Sequence, residues 1–374
     1  MSFDLHDQLA QEHNGAEKWG YRRVDCGQLN AVGFQPTSSL TELPSSNSNV
    51  LLGKWWNSGQ PDSSDLPDNL DWINTESIRA YEELADKQST AQVHPLQFTN
   101  YMAKLAEQSG AKIVMGTVEH INCIDTENIS GNSRPLSSVQ DPARNKVVSI
   151  TYTDKATAEL CNIPATIVVL AAGPWTPTLF PAVHMSPVRA HSITIKLKEP
   201  VSAYCLFTTI SLTRHHQSPV FQNVSKPPFT KTISAEIYAR PNNEVYICSQ
   251  GDFDVPLPPP TDTVIVSTES CREITEAASS VSQLLQNGQV TGRRACYLPT
   301  MDAKAGAGPL VGPTGLEGLL LATGHSCWGV SNAPATGRVI SEFIFDGEVS
   351  SAKIGNLDPR ELLYKDSGIA VTNT

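Results

Sequence analysis

The sequence contains no run of about 18 consecutive apolar residues, so it offers no membrane-spanning helix. Basic residues are in deficit: 27 Lys and Arg stand against 38 Asp and Glu, giving a net charge of −11. Such a chain repels phosphate backbones and anionic membrane surfaces, so nucleic acid and membrane are not expected partners. Met1-Ser2-Phe3-Asp4-Leu5-His6-Asp7 lacks the basic and apolar stretches of a secretory signal, and a cytoplasmic location is the expectation. No C-x-x-C pair occurs among the eight cysteines (Cys26, Cys123, Cys161, Cys205, Cys248, Cys271, Cys296 and Cys327), and none clusters with histidine. That argues against a zinc site and a disulfide framework; reduced, mostly buried thiols are expected, and no metal. No internal repeat is present.

What is there is the composition of a globular chain, 40% hydrophobic and 17% charged, with 374 residues to build two domains or one two-lobed unit. Residues 1–13 carry Phe3, Leu5 and Leu9 at the spacing of a short helix. Residues 34–50 are rich in Ser, Pro, Asn and Thr and read as a surface loop. Residues 75–88 read as helical. His94-Pro95 opens a helix with Leu96, Met102, Leu105 and Ala106 as its apolar face, ended by Gly110. A strand, Lys112–Thr117, is expected next, then a turn-rich stretch at 124–146 and a strand at Val147–Thr153. The continuous apolar run of Thr166–Ala172 reads as a strand buried on both faces, as in a parallel sheet.

From about residue 187 the texture becomes alternating, with runs at Ser192–Lys198, Tyr204–Ile210, Ile233–Ala239 and Val245–Ser249. Pro241-Asn242-Asn243 separates the last two. These runs predict an antiparallel sheet. A helix is expected at roughly 267–286, a strand at Arg294–Leu298, a strand at Gly318–Thr323, and a final helix from about Ala333 to Phe345 with Pro334 in its first turn. The expected fold class is α/β: a discontinuous dinucleotide-type lobe, Rossmann-like, with an antiparallel β-sheet lobe inserted between its parts.

The most informative segment is Gly324-His325-Ser326-Cys327-Trp328-Gly329-Val330-Ser331, between an apolar strand and a helix. A helix N-terminus presents unpaired N–H groups and a positive dipole end, which stabilise an anion. A bare strand–loop–helix packed for its own sake fits the pattern equally well. Gly324-His325-Ser326-Cys327-Trp328-Gly329 is one residue too long for a nucleophile elbow. His215-His216 is a weak metal candidate, because adjacent histidines point apart on any regular element.

The same segment, continued through Ala333-Pro334-Ala335-Thr336-Gly337, resembles the C-terminal flavin segment of the D-amino-acid-oxidase-like FAD-dependent oxidoreductases. Val168-Val169-Leu170-Ala171-Ala172-Gly173-Pro174-Trp175 resembles that family's second FAD motif. His94-Pro95 through Val118, Pro187 through Ser192, and Cys296 through Gly312 agree in order. Trp19-Gly20-Tyr21-Arg22-Arg23 is similar to a fungal branch. The resemblance implies oxidation of a C–N bond in an amine or amino acid by hydride transfer to FAD bound non-covalently. It implies His325 and Trp328 at the reacting ring, and Val118, Ala172, Gly173, Pro174, Trp175, Gly324, Gly329, Val330 and Ser331 along the cofactor. Cys296 lies near the place where some relatives attach FAD covalently, and a buried thiol is the expected role. Arg189, Tyr238 and Arg240 are candidates for the substrate lobe, with surface or core packing the expected role of each.

The family's opening unit, a strand followed by G-x-G-x-x-G and a helix, has no match in residues 1–90. Gly306-Ala307-Gly308 through Gly312 is a near miss and reads as a turn. The chain therefore lacks the element that would hold the pyrophosphate, and reads as a truncated copy. The implied lobes are residues 1–13, 94–186 and 301–350 for FAD, with the first βαβ missing, residues 14–93 and 187–300 for substrate, and 351–374 as a C-terminal tail. The alternatives are an inactive, flavin-free relative acting as a binding or scaffold protein, or half of a two-chain enzyme completed by a protein partner.

Overall fold

Periodicity along the chain changes from helical to alternating and back, and the elements follow it. The computed structural model describes residues 1–33, 66–128, 131–139, 144–214, 229–302 and 308–363. The loop expected at 34–50, the His215-His216 pair and the Gly306-Ala307 part of the near-miss turn lie outside the described residues. The chain opens with helices α1 (Ser2–Glu12) and α2 (Gly15–Trp19), then strands β1 (Arg22–Arg23), β2 (Asp25–Gly33), β3 (Ile78–Ala85) and β4 (Ala91–Gln92). Helix α3 (Pro95–Gln108) leads to β5 (Gly116–Asp125), β6 (Arg134–Pro135), β7 (Asn145–Asp154), β8 (Leu160–Pro164), β9 (Val168–Leu170) and α4 (Thr176–Leu179). The middle holds β10 (Val188–Lys196), β11 (Tyr204–Arg214), β12 (Phe229–Arg240), β13 (Glu244–Ser249), α5 (Thr268–Val281), α6 (Gln283–Gln286) and β14 (Gln289–Leu298). The chain returns through β15 (Leu310–Pro313) and β16 (Leu319–Thr323) to α7 (Gly329–Phe345) and α8 (Pro359–Leu363).

The alternating middle forms a seven-stranded sheet in the order β14-β10-β13-β12-β11-β2-β3. It is antiparallel except where β11 and β2 run parallel. Alternation puts Ile233, Ala235, Ile237 and Ala239 on one face of β12, where they meet α5 through Cys271, Ile274, Ala277 and Ala278. A second core gathers Val168, Leu170, Leu310, Leu319 and Leu321 with Ile121 and Cys123 of β5. There β15, β16 and β9 form a three-stranded sheet, with β16 and β9 parallel. A four-stranded sheet, β6-β5-β7-β8, lies beside it in the chain.

Several expectations are corrected. Residues 78–85 form an edge strand paired with β2, not a helix, and Ile78, Ala80 and Tyr81 are buried there. The region's good helix formers yield to the backbone groups that β2 leaves open for pairing. The buried face of α3 is Phe98, with Tyr101 and Met102 against it, whereas Leu96 is exposed. The helix expected at 267–286 breaks at Ser282, whose hydroxyl accepts from the Leu285 N–H and restarts it as α6. The strand expected at Lys112–Thr117 begins only at Gly116, and Ile113, Val114 and Met115 are 52%, 50% and 63% exposed. Thr166–Ala172 is not buried on both faces: Val168 and Leu170 are buried, while Ile167 and Val169 are 45% and 36% exposed. Val168 and Leu170 point into the core with Leu319 and Leu321, while among the described residues nothing buries the opposite face of β9. All eight cysteines are free, but only Cys26, Cys123, Cys205 and Cys271 are fully buried.

Candidate functional site

The parallel register of Leu319 with Val168, Leu320 with Val169 and Leu321 with Leu170 brings the carboxyl ends of β16 and β9 to one sheet edge. In open α/β sheets that is where ligands bind. Thr176 and Thr323, both fully buried, tie the two ends together. Their hydroxyls lie 3.0 Å apart, and both donate to the Gly173 carbonyl, at 2.8 and 3.3 Å. The segments carrying Ala172, Gly173 and Gly324 are thereby fixed side by side. Neither threonine stood out in the sequence, where Thr323 reads only as a strand-end residue.

Beyond β16 the chain turns sharply. Gly324 has φ +82°, and a Cβ there would sit 2.8 Å from Met301 Sδ. Ser326 has φ +53°, a left-handed conformation that costs a non-glycine residue energy. A single tight turn, Ser326–Trp328, then enters α7 at Gly329, four residues earlier than expected. Pro334 consequently lies inside the helix rather than in its first turn. It has no N–H for the Val330 carbonyl, which would be left unpaired. His6 on α1 supplies the missing donor through Nε2, at 3.0 Å. The Ser2 hydroxyl donates to the Ser331 carbonyl at 2.6 Å. The N-terminal helix thus holds the start of α7, a role that the sequence did not signal.

The candidate residues differ in surroundings. Trp328 is 60% exposed. The His325 imidazole lies 3.0 Å from the Thr336 hydroxyl, and burial lowers its pKa. Among the described residues, a Cβ on Gly173 or Gly337 would meet nothing within 4 Å, and one on Gly329 only the His325 Cβ at 3.8 Å, so both segments border space that no described residue fills. Val330 packs beside Trp19 and Phe98, while Ser331 is exposed. Pro174 is buried. The Trp175 indole donates to the Pro258 carbonyl at 2.7 Å, which anchors it to the loop after β13. Val118 stands on β5, in another sheet. Cys296, expected to be buried, is exposed, although the atoms around it raise its thiol pKa. Ser326 donates its backbone N–H to the Pro299 carbonyl, and the neighbouring imidazole is directed to Thr336, so no serine–histidine pair forms here.

The seven-stranded sheet turns a polar, aromatic face away from α5. Strand register sets Phe207, Glu236, Cys248 and Ser192 in one row, and Cys205, Tyr238 and Tyr246 in the next. Arg240 ion-pairs with Glu244 at 3.0 Å and stacks over the Tyr246 ring at 4.3 Å. Glu244 lies 3.7 Å from His94, which connects this face to the start of α3. Arg189 is used differently. It is buried and pairs with Asp252 at 3.0 Å, beside His191, whose Nε2 accepts from the Ser267 N–H at the cap of α5.

A family model described as FAD dependent oxidoreductase (DAO) matches residues 4–343. TDA3, a proposed oxidoreductase of Saccharomyces cerevisiae, is 34% identical over 317 residues, covering 81% of this chain and 57% of its own length. C1F5.03c, a proposed oxidoreductase of Schizosaccharomyces pombe, is 31% identical over 361 residues, covering 96% of this chain and 80% of its own. The chain therefore spans little more than half of TDA3. Among solved structures, glycine oxidase from Geobacillus kaustophilus superposes with a TM-score of 0.59 at 14% identity, over 96% of this chain and 80% of its own. Iminodiacetate oxidase from Chelativorans gives 0.60 at 12% identity, over 96% and 82%. At such identities the likeness establishes the fold, a Rossmann-like lobe joined to a β-sheet lobe.

Proposed function

The chain belongs to the DAO family of FAD-dependent oxidoreductases, and on that premise we propose that it serves oxidation of a C–N bond in an amine or amino acid. The observation that carries this reading is the pair of strand ends tied by Thr176 and Thr323, with open space at Gly173 and Gly329. A Cβ-free border of this kind suits the close approach of a flat ring. When bound, FAD supplies the acceptor for the hydride that leaves the carbon next to nitrogen. The first turn of α7 offers N–H groups at Gly329, Val330 and Ser331, and its dipole favours negative charge there. His325, kept neutral by burial and oriented by Thr336, positions the turn, and Trp328 forms a wall. Ala172, Gly173 and Pro174 lie along the dinucleotide in this reading, with Trp175 bracing them from Pro258 and Val118 nearer the adenine end. Binding is proposed to be non-covalent, as the resemblance implies.

The fit is partial. The flavin-ring end is provided for, but residues 1–374 contain no G-x-G-x-x-G for the pyrophosphate. The proposed lobes, 1–13 with 94–186 and 301–350, and 14–93 with 187–300, draw support from the two separate cores. A second reading, half of a two-chain enzyme, is favoured by one observation. Strand β9 is an edge of its sheet among the described residues, with Val169 exposed, and the Ile113–Met115 segment also exposes apolar side chains; an open strand edge accepts a further strand. Purification of the 374-residue chain with added FAD tests the first reading. Retention of a visible flavin band through gel filtration, bleached by amines or amino acids under anaerobic conditions, is expected. A colourless protein, or a band that no such compound bleaches, overturns it.

A further inference from the structure

Glu236 lies midway along β12, on the sheet face turned away from α5, and is half-buried. Its carboxylate accepts from the Tyr238 hydroxyl at 2.5 Å and lies 3.6 Å from the Cys248 thiol. Both partners are neutral, and among the described residues no cation pairs with Glu236. The nearby guanidiniums are engaged elsewhere: Arg240 with Glu244, and Arg22 with the Ala239 carbonyl. Arg294 stands in the same cross-strand row but three strands away, a lateral separation of roughly 14 Å. A half-buried carboxylate with only neutral donors keeps most of its charge uncompensated.

The rings around it are arranged for a cation. Phe207 is directly opposite Glu236 on β11, and its ring meets Tyr238 edge-on at 6.3 Å. Tyr238 in turn lies 6.1 Å from Tyr246. Tyr246 already receives a guanidinium on its face, so this aromatic row tolerates positive charge. Burial raises the Tyr238 and Cys248 pKa values strongly, so both partners of Glu236 stay neutral, yet neither residue is fully closed off from solvent.

We propose that Glu236 is the counter-ion for a cationic group of the ligand, a protonated or alkylated amine seated against Tyr238 and Phe207. This rests on the amine-oxidation reading only for the chemical class of the ligand, because the cation site itself needs no flavin. The charged nitrogen is a second group of the ligand, not the one beside the carbon that loses hydride, which must be neutral to react; neutral and anionic isosteres of the cation are rejected.

The test uses the 374-residue chain and three probes at pH 7: n-pentylammonium, n-pentanol and pentanoate, titrated by calorimetry. Saturable binding of the ammonium, about tenfold tighter than the alcohol, is expected, with pentanoate weaker still. In Glu236→Gln, which keeps an acceptor for Tyr238, the preference for the cation should vanish. Equal binding of pentanoate, absence of saturable ammonium binding, or an unchanged preference in Glu236→Gln would overturn the proposal. The wild-type probe series decides the matter even if the variant does not fold. The flavin band of the same preparation reports the oxidase reading separately, since Glu236→Gln should leave that band unchanged.

Discussion

His6 donates its Nε2 proton to the Val330 carbonyl at 3.0 Å, the same carbonyl that Pro334 deprives of its helical partner. Because the carbonyl only accepts, the proton sits on Nε2, and Nδ1 is left bare and buried without a partner among the described residues. The pair predicts a coupling. His6→Ala should cost about 1–2 kcal/mol in the native chain. In a Pro334→Ala background, where residue 334 can donate, the cost should fall by at least about 0.5 kcal/mol. Ring packing of His6 on Phe98, at 4.9 Å, is lost equally in both backgrounds and cancels. Urea denaturation of the four proteins measures the coupling, and equal costs in the two backgrounds would refute it.

Burial lowers four imidazoles, His6, His94, His191 and His325, below the ordinary value of 6.5. The sign follows from proton uptake. As pH falls through 6.5 the unfolded chain takes up protons that the folded chain refuses. The stability these groups contribute is therefore fully present above about 6.5 and is lost as pH falls toward their folded values. Each contributes a slope of at most about 1.4 kcal/mol per pH unit. Depressed carboxylates such as Glu342 act lower, below their usual 4.5. The urea midpoint should thus decline between pH 7 and 5.5, and His6→Gln should decline less steeply. A flat profile over that interval would contradict this account.

The sequence made the lobes legible and the clamps illegible. Ile233, Ala235, Ile237 and Ala239 alternate cleanly because β12 has one buried face, so its class could be read directly. Residues 78–85 misled because Glu82, Glu83, Leu84 and Ala85 carry helix propensity, and only pairing with β2 overrides it. At the candidate site, Gly324 and Gly173 were visible because their left-handed backbones select glycine. His6, Thr176 and Thr323 were not, because each acts through a contact with a residue about 150 to 320 positions away, which no local pattern encodes. For Arg189 a packing role was expected ahead of a substrate contact, and the structure commits it to Asp252.

That commitment is testable. Arg189 is 4% exposed, and its guanidinium reaches Asp252 and the Ile265 carbonyl while His191 flanks the same carboxylate. Asp252→Ala leaves a buried guanidinium without its counter-ion and should cost about 3 kcal/mol, the lower end for a buried pair, because Asp252 itself is partly open to water. Replacing both partners, Arg189→Met with Asp252→Leu, should cost less than either removal alone. If the double variant is the least stable, the pair is not the clamp described here.

The free edge of β9 makes the sharpest demand on the fold. Val169 and Leu170 are neighbours, but Val169 keeps 36% of its surface and Leu170 keeps 4%. A lysine at position 169 can extend into water, whereas one at 170 must enter the core shared with Leu319 and Leu321. Val169→Lys should change stability by about 0.5 kcal/mol or less, as exposed positions do. Leu170→Lys should unfold the lobe. The same charge at 169, or at Val114, should also suppress self-association in sedimentation velocity, because a charged edge discourages strand addition. If Val169→Lys destabilises the chain as much as Leu170→Lys, the edge is covered rather than free, and the two-chain reading loses the observation on which it stands.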